Sequence, residues 1–302
     1  MKRIFAIGLC AVLTVGLLAC SSEEEPKEKP EIVEVTALDF RFEAPDTIKS
    51  GWNTFELSNE GKQEHFMYLY KIPSEITLAE YEEGVPLAFE RVWDQYVAGE
   101  INQQETVEML GEEVAPWFFT EVVPSGGVAL TEPGETAQST VKLDPGKYIM
   151  ECYVKMPDGT WHTSMGMYKM MIASEDSTGM EPPKPNYEMT LTNYDISTSG
   201  ELKKGTNTIA VSAEDTPEGF MMHDINLFRM NDTTSVDDIV KWMNWMELDQ
   251  FTAPGPAYSL GGVEHMAAGK TGYMTVELTP GTYAWISEMY GNRDMVKEFT
   301  IK

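Results

Sequence analysis

A cysteine, a histidine and a methionine stand close together in the stretch from Glu151 to Met171. Cys152, His162 and Met167 follow the spacing Cys-x9-His-x4-Met. Strand-like residues flank this stretch, so the three side chains should lie on one loop between two strands. A thiolate, an imidazole and a thioether are donors that transition metals prefer, and the loop is therefore a candidate metal site.

A second imidazole would complete a known ligand set. One thiolate, two imidazoles and a weak axial methionine are the donors of a blue-copper electron-transfer site. His65 lies 87 positions before Cys152 (152 − 65), within a strand-like run, and is the candidate for the missing donor. The sequence thus predicts one type 1 copper bound by four residues: His65, Cys152, His162 and Met167.

The residues around these donors resemble the cupredoxins. A Pro-Gly-x-Tyr segment precedes Cys152, and the loop closes with Trp161-His162 and Gly166-Met167. That loop resembles the type 1 copper loop of two-domain copper nitrite reductases. In those enzymes the residue before the cysteine is a histidine that holds a catalytic type 2 copper, whereas in this chain it is Glu151. The resemblance implies electron transfer, and the departure favours an electron carrier over a catalyst.

The axial donor has two candidates, Met165 and Met167. Met167 follows a glycine, as in the cupredoxin loop, and it aligns with Met295 of an internal repeat. We therefore predict Met167 as the axial donor.

Cysteine usage leaves other interpretations open. Of three cysteines, Cys10 and Cys20 fall in the N-terminal segment, so Cys152 would be the one free thiol of the mature protein. Such a thiol could be a small buried apolar side chain in a metal-free, cupredoxin-like binding or scaffold protein. The 20 methionines also allow a chaperone that handles soft metal ions.

The N-terminus resembles a lipoprotein signal. Lys2 and Arg3 precede an apolar run, and Leu17-Leu18-Ala19-Cys20 resembles a bacterial lipobox. We expect residues 1–19 to be a signal peptide, Cys20 to carry lipid, and residues 20–31 to form an acidic tether. The mature protein would be a lipoprotein of the cell envelope, held at the outer membrane on its periplasmic or surface face.

Charge restricts the partners. The formal net charge is −27, from 49 acidic and 22 basic residues. Such a surface disfavours nucleic acid and anionic membranes. Apart from the membrane reached through its lipid, the expected partner is a redox protein with a basic surface, such as a c-type cytochrome.

An internal repeat predicts two domains. Residues 48–55 match 202–209, and residues 125–152 match 260–287. Short runs of β-branched and aromatic residues between Gly, Pro and Asn predict strands throughout. The predicted fold is all-β, with two tandem cupredoxin-like Greek-key β-sandwiches. Domain 1 is predicted at 32–173 with a helical insertion at about 77–119, a linker at 174–186, and domain 2 at 187–302.

The second copy should hold no metal. Ser287 stands where the first copy has Cys152, and the span from Ser287 to Met295 is 8 positions (295 − 287). This shortening should remove any counterpart of His162. A pair formed by His223 and His265 is too small a set for zinc without further ligands.

Overall fold

The computed structural model describes residues 32–218, 221–288 and 290–302. The signal segment, Cys20 and the acidic tether therefore lie outside the described residues. No helix among the described residues combines the length and the apolar character that crossing a membrane requires.

Eight strands form in each half of the described chain. The first half contains β1 Ile32–Leu38, β2 Arg41–Glu43, β3 Thr47–Asn59, β4 His65–Ile72, β5 Val123–Thr131, β6 Thr136–Leu143, β7 Gly146–Glu151 and β8 Tyr168–Ser177. The second contains β9 Tyr187–Thr192, β10 Asp195–Gly200, β11 Gly205–Ala213, β12 His223–Arg229, β13 Tyr258–Met266, β14 Thr271–Leu278, β15 Gly281–Ile286 and β16 Val296–Ile301.

The strands form two long hydrogen-bonded layers. One layer has the order β10-β9-β11-β14-β6-β3, with β1 paired to β3 and β2 paired to β1. The other layer has the order β8-β7-β4-β5-β13-β12-β15-β16. Strand β3 connects them, because Thr47–Ser50 pairs with β8 and the residues from Gly51 onward pair with β6. The predicted all-β fold of two sandwiches with a helical insertion is confirmed.

The repeat is visible in equivalent hydrogen bonds. The Asn53 side chain donates to the carbonyls of Lys49 and Gly51. Asn207 donates in the same way to Lys203 and Gly205. Both asparagines are buried, and each binds the carbonyls four and two residues before it, so the same local backbone shape is stabilised in both copies.

A glycine pair in each copy permits close strand packing where the copies meet. Strand β5 pairs with β13, and β6 pairs with β14. A Cβ on Gly127 would lie 1.8 Å from the carbonyl oxygen of Met67, and one on Gly262 would lie 2.0 Å from that of Ile225. The Gly-Gly-Val motif therefore occurs twice because the backbones of β4 and β12 each come very close to a glycine of the neighbouring paired strand.

Five helices lie outside the sheets in the described part of the chain. Four connect β4 to β5, and the fifth follows β12: α1 Leu78–Gly84, α2 Pro86–Val97, α3 Gln103–Glu113, α4 Pro116–Thr120 and α5 Val236–Trp242. Thr77, Asn102 and Ser235 each form a capping box at the start of a helix. In the second copy, residues 235–251 are helical only at their start, because residues after Trp242 form turns.

Strand β8 continues to Ser177, four residues into the predicted linker at 174–186. Its end pairs with the start of β3, which explains why the chain stays extended there. The domain limits themselves remain a prediction.

Candidate metal centre

Three of the predicted donors meet at one end of the first sandwich. His65 is the first residue of β4, and Cys152 directly follows β7. His162 lies on the loop that leads from Cys152 into β8, and its N–H donates to the carbonyl of Val154. All three side chains are fully buried, and one potential donor atom from each lies within 4.8 Å of the others.

The donor distances fit a shared metal ion. The Sγ atom of Cys152 lies 3.7 Å from Nδ1 of His65 and 3.7 Å from Nδ1 of His162. Metal–sulfur and metal–nitrogen bonds of about 2.3 and 2.0 Å, at tetrahedral to trigonal angles, place the two donor atoms about 3.5–3.7 Å apart. The thiol and both imidazoles are therefore already spaced as ligands of one ion.

Outer hydrogen bonds fix both imidazole rings. Nε2 of His65 donates to Asp39 Oδ1 at 3.2 Å, and Nε2 of His162 donates to Gln63 Oε1 at 2.6 Å. With the proton on Nε2, each Nδ1 turns a lone pair towards Cys152. Such second contacts set the tautomer and orientation of metal-binding histidines.

The loop before β4 is shaped around His65. Gly61 lies against the pair formed by His65 and Asp39, and a Cβ there would lie 2.7 Å from His65 Nε2. Asn59 accepts a hydrogen bond from the Gly61 N–H and donates to the carbonyl of Gln63. The Asn-x-Gly sequence thus holds both outer partners of the imidazoles in place.

Met167 is tied into the site through its backbone. Its N–H donates to the carbonyl of His162, and its carbonyl accepts from the N–H of Cys152. Its side chain is fully buried, whereas Met165 is 42% exposed. The structure therefore places the Met167 side chain in the interior and Met165 at the surface, and the choice of Met167 as the axial donor stays a prediction.

Burial sets the protonation states of the donors. It raises the pKa of Cys152 to about 12, against the effect of hydrogen bonds from the backbone of Phe66 and Val154. Burial and the neighbouring His65 lower the pKa of His162 to about 3. The pKa of His65 is also lowered by burial, although Asp39 opposes the shift. At neutral pH two neutral imidazoles therefore face a protonated thiol, and a metal ion must displace that proton.

The Glu151 side chain is buried and hydrogen-bonded next to the candidate ligand Cys152. Its Oε2 accepts hydrogen bonds of 2.7 Å from the hydroxyls of Tyr70 and Tyr81. Burial raises the pKa of this carboxyl group, while the two tyrosines and His265 act in the opposite direction. The side chain that replaces the histidine of nitrite reductases thus receives two hydrogen bonds on one of its oxygens.

The second copy preserves the frame of the site without its donors. The N–H of Ser287 donates to the carbonyl of Met295, as Cys152 does to Met167. The N–H of Met295 donates to the carbonyl of Tyr290, as Met167 does to His162. The expectation that the shortened loop lacks any counterpart of His162 is therefore corrected, because Tyr290 occupies that backbone position.

His223 is the counterpart of His65 in this frame. It begins β12, and its Nε2 donates to Asp215 Oδ1 at 2.8 Å, as His65 does to Asp39. Its buried Nδ1 has no hydrogen-bond partner among the described residues. The hydroxyl of Ser287 instead donates to Asp224. Within the described residues, the one group of three or more His, Cys, Asp or Glu side chains spaced for a metal is that of the first copy.

A buried acidic cluster surrounds His265. Its Nε2 lies 3.8 Å from Glu288 and 3.9 Å from Glu264, and its Nδ1 lies 3.9 Å from Asp224. Burial alone would lower the pKa of His265, but these carboxylates raise it to about 10. The sequence pointed to His265 only as half of an insufficient zinc pair. Its acidic neighbours come from β12, β13 and the segment after β15, so sequence spacing gave no signal of the cluster.

Tyr153 joins this cluster to the candidate metal loop. Its hydroxyl lies 2.9 Å from His265 Nε2 and donates to Glu288 at 3.1 Å. Because Tyr153 follows Cys152 directly, one peptide unit separates the two sites.

Aromatic side chains of the helical insertion cover the loop. Trp161 packs edge-on against Trp93 and Phe89 of α2, at ring-centroid distances of 4.7 and 5.6 Å. Lys155 is fully buried beside them and donates to the carbonyls of Trp245 and Glu247. The loop therefore lies between the helical insertion and the segment that follows α5 in the second copy.

Comparisons with known proteins give limited similarity. No protein-family model and no curated protein matches the chain. Auracyanin B is similar at 15% identity and a TM-score of 0.30, covering 41% of this chain and 95% of its own. An azurin from Methylomonas sp. strain J is similar at 16% identity and a TM-score of 0.28, covering 38% and 94%.

A third similar structure spans both copies. The copper-containing nitrite reductase from Thermus scotoductus SA-01 is 8% identical with a TM-score of 0.22, covering 90% of this chain and 61% of its own. The sequence analysis named cupredoxins and copper nitrite reductases as the proteins that this chain resembles, and these three similar structures are of those kinds. All three TM-scores lie below 0.5, so the candidate metal site is argued from the strand order and donor geometry of this chain alone.

Proposed function

We propose that the protein is an electron carrier with one type 1 copper bound by His65, Cys152, His162 and Met167. One observation carries the proposal: two imidazole Nδ1 atoms lie 3.7 Å from a single buried thiol sulfur, and both Nε2 atoms are already hydrogen-bonded. This arrangement presents three donors to an ion without further rearrangement of the rings.

The donor set favours copper over zinc. One thiolate, two imidazoles and a weak axial thioether are the ligands of blue-copper sites, whereas structural zinc sites take four strong donors. The fully buried Met167 is the soft axial candidate. Copper would supply a one-electron couple, and the buried, hydrogen-bonded ligands would hold the same geometry in both oxidation states.

The surroundings support transfer of electrons over catalysis. Glu151 has both tyrosine hydroxyls on Oε2 and stands where a catalytic copper ligand would be needed. His65 and His162 are both fully buried, so no ligand position faces bulk solvent for a substrate. We assign the site to electron exchange with a partner protein, for which the acidic chain favours a basic surface such as that of a c-type cytochrome.

The proposed location is the cell envelope. The lipobox-like Leu-Ala-Cys ending at Cys20 would anchor the protein to the outer membrane, and the acidic tether would hold the folded part away from the lipid. Oxidising conditions there would threaten a free thiol, and a bound metal would protect Cys152.

Copper titration of the purified protein tests the proposal. We expect one equivalent of Cu(II) to give an intense visible thiolate-to-copper absorption and to block alkylation of Cys152. Cys152→Ser should abolish the absorption. His223→Ala is the matched control, because it alters the equivalent histidine of the second copy and should leave the absorption intact.

Two results would refute the assignment. An absorption that survives Cys152→Ser would exclude the thiolate ligand, and two equivalents of type 1 copper would exclude a metal-free second copy. No copper binding by folded protein would favour the alternative, a metal-free binding or scaffold protein.

A further inference from the structure

A cavity of about 350 Å³ lies directly beside the candidate metal loop. Its wall is mainly aromatic and combines both copies with the helical insertion: Phe89, Phe118, Tyr153, Trp161, Trp245 and Tyr68. Glu151 and His265 also line it. A volume of this size accommodates a small organic molecule, and an aromatic wall with few polar groups is typical of a ligand site.

Glu151 offers the cavity one unused carboxylate oxygen. Both tyrosine hydroxyls bind its Oε2, and no hydrogen bond from the described residues engages its Oε1. The residue is only 6% exposed, and it lines the cavity. A ligand that donates a hydrogen bond to Oε1 would complete the shell of this buried group.

Acidic side chains outnumber basic ones around the cavity. Asp224, Glu264 and Glu288 surround His265, and the ion pairs of these three carboxylates in the described structure involve that imidazole alone. Glu264 Oε2 is buried without a hydrogen-bond partner in the described residues. With Glu151, four buried carboxyl groups therefore share one imidazole, which favours a positively charged ligand over a neutral or negative one.

The aromatic rings of the cavity wall also favour a positively charged ligand. An ammonium group over an indole or phenyl face is attracted by the ring quadrupole, and the attraction increases where water is excluded. The indole N–H of Trp161 has no hydrogen-bond partner in the described chain, which leaves this wall open to a ligand acceptor as well.

We propose that this cavity binds a small organic ammonium ion with an aromatic or other apolar body. The ammonium group would donate to Glu151 Oε1, and the body would pack against the aromatic wall. The proposal does not depend on copper, because every group it uses is present in the metal-free protein.

The test is a binding titration of metal-free, full-length protein with three probes of matched shape. We expect 2-phenylethylammonium to bind at least about tenfold more tightly than 2-phenylethanol, as one charge-assisted hydrogen bond predicts. Phenylacetate should not bind measurably. Equal affinity for the ammonium ion and the alcohol, preferred binding of phenylacetate, or no saturable binding of the ammonium ion would overturn the proposal.

Substitutions locate the binding site. Glu151→Gln keeps the shape and should weaken ammonium binding at least about tenfold while leaving alcohol binding unchanged. Glu108→Gln, at an exposed position on α3, is the control and should change neither. Unchanged ammonium affinity in folded Glu151→Gln protein would overturn the proposal.

A second substitution covers the case in which Glu151→Gln fails to fold. Phe118→Leu keeps an apolar side chain but removes one aromatic face of the cavity. It should weaken binding of the ammonium ion more than that of the alcohol. An equal effect on both probes would show that the ring contributes only shape, and would contradict the proposed recognition of a cation.

Discussion

The two imidazoles of the candidate centre are oriented by neighbours on nearby loops. Asp39 and Gln63 each accept the Nε2 proton, and Asn59 holds the backbone of Gln63. This arrangement leaves both Nδ1 lone pairs directed at Cys152. Metal affinity should therefore depend on residues that never touch the ion.

Replacement of Gln63 tests this dependence. Gln63→Ala removes the acceptor of His162 Nε2, and we expect copper affinity to fall by about 10- to 100-fold. Competition with a chelator of known affinity would measure the change. Gln104→Ala, on the exposed surface of α3, should leave the affinity unchanged. Equal affinities for the Gln63 variant and the wild type would show that the ring needs no outer partner.

The depressed pKa of His162 predicts acid sensitivity of the metal-free protein. In the unfolded chain the pKa of this imidazole should return to its ordinary value of 6.5, and in the folded protein its pKa is about 3. As the pH falls between these values, the unfolded state takes up a proton that the folded state does not. The free energy of unfolding should therefore fall by up to about 1.4 kcal/mol for each pH unit of acidification between these two values. Well above pH 6.5 the imidazole is neutral in both states, and this loss of stability is absent.

Urea unfolding across that pH range measures this slope. His162→Gln lacks the titrating ring, so its stability should fall less steeply than that of the wild type. Parallel curves for the two proteins would contradict the prediction.

The donors of the site were predictable from residue types, whereas their outer partners were not. A lone cysteine with His162 and Met167 at loop spacing indicates a metal by chemistry alone. Asp39 carries no such signal, because it lies 26 positions before His65 (65 − 39) and becomes its partner only when β1 and β4 fold together. Tyr290, in contrast, could have been found from the sequence, because it precedes Met295 by the same five positions that separate His162 from Met167.

At the scale of elements, tertiary contacts decided where the helices end. The sequence predicted one helical insertion at about 77–119, which the structure divides into α1 to α4. The sequence did not indicate that α5 stops at Trp242. The carbonyls of Trp245 and Glu247 accept hydrogen bonds from the buried Lys155, which comes from the other copy. Hydrogen bonds from this distant lysine compete with helix formation after Trp242, and the sequence near α5 does not indicate them.

The glycines of β5 provide a second prediction at this scale. Gly127→Ala would place a Cβ 1.8 Å from the carbonyl oxygen of Met67, at a backbone φ of 143°. We expect a loss of about 3 kcal/mol or more in the free energy of unfolding, from overpacking and strain combined.

Gly111→Ala is the matched control for this change. Gly111 lies in α3, and a Cβ there meets no atom within 4 Å. Alanine should stabilise the protein by about 0.5–1 kcal/mol through its higher helix propensity. Chemical denaturation would measure both changes, and a mild effect of Gly127→Ala would show that β4 can shift away from β5.

At the scale of the whole molecule, two similar sandwiches carry unequal chemistry. The first copy has a thiol and a second imidazole where the second has Ser287 and Tyr290, although the backbone bonds of the two loops are equivalent. The second copy instead supplies His265 to the wall of the cavity, and the acidic cluster lies around that histidine. It therefore shapes the surroundings of the first copy without repeating its donors.

The proposed attachment to the membrane can be tested on the full chain. Cys20→Ser should prevent lipidation and move the protein from the membrane fraction to the soluble fraction of cells. Cys10→Ser alters the other cysteine of the N-terminal segment and should leave the membrane fraction unchanged. Fractionation and immunoblotting would detect the difference, and a Cys20→Ser protein that stays with membranes would disprove the lipobox interpretation.

The pairing of β5 with β13 and of β6 with β14 also bears on how the chain is made. During synthesis the first copy leaves the ribosome before the strands that will cover β5 and β6 exist. For that interval two strand edges with unpaired N–H and C=O groups are open to other chains. A nascent or prematurely terminated chain ending near residue 186 should therefore be prone to aggregation and to capture by chaperones, until the second copy arrives and closes both edges.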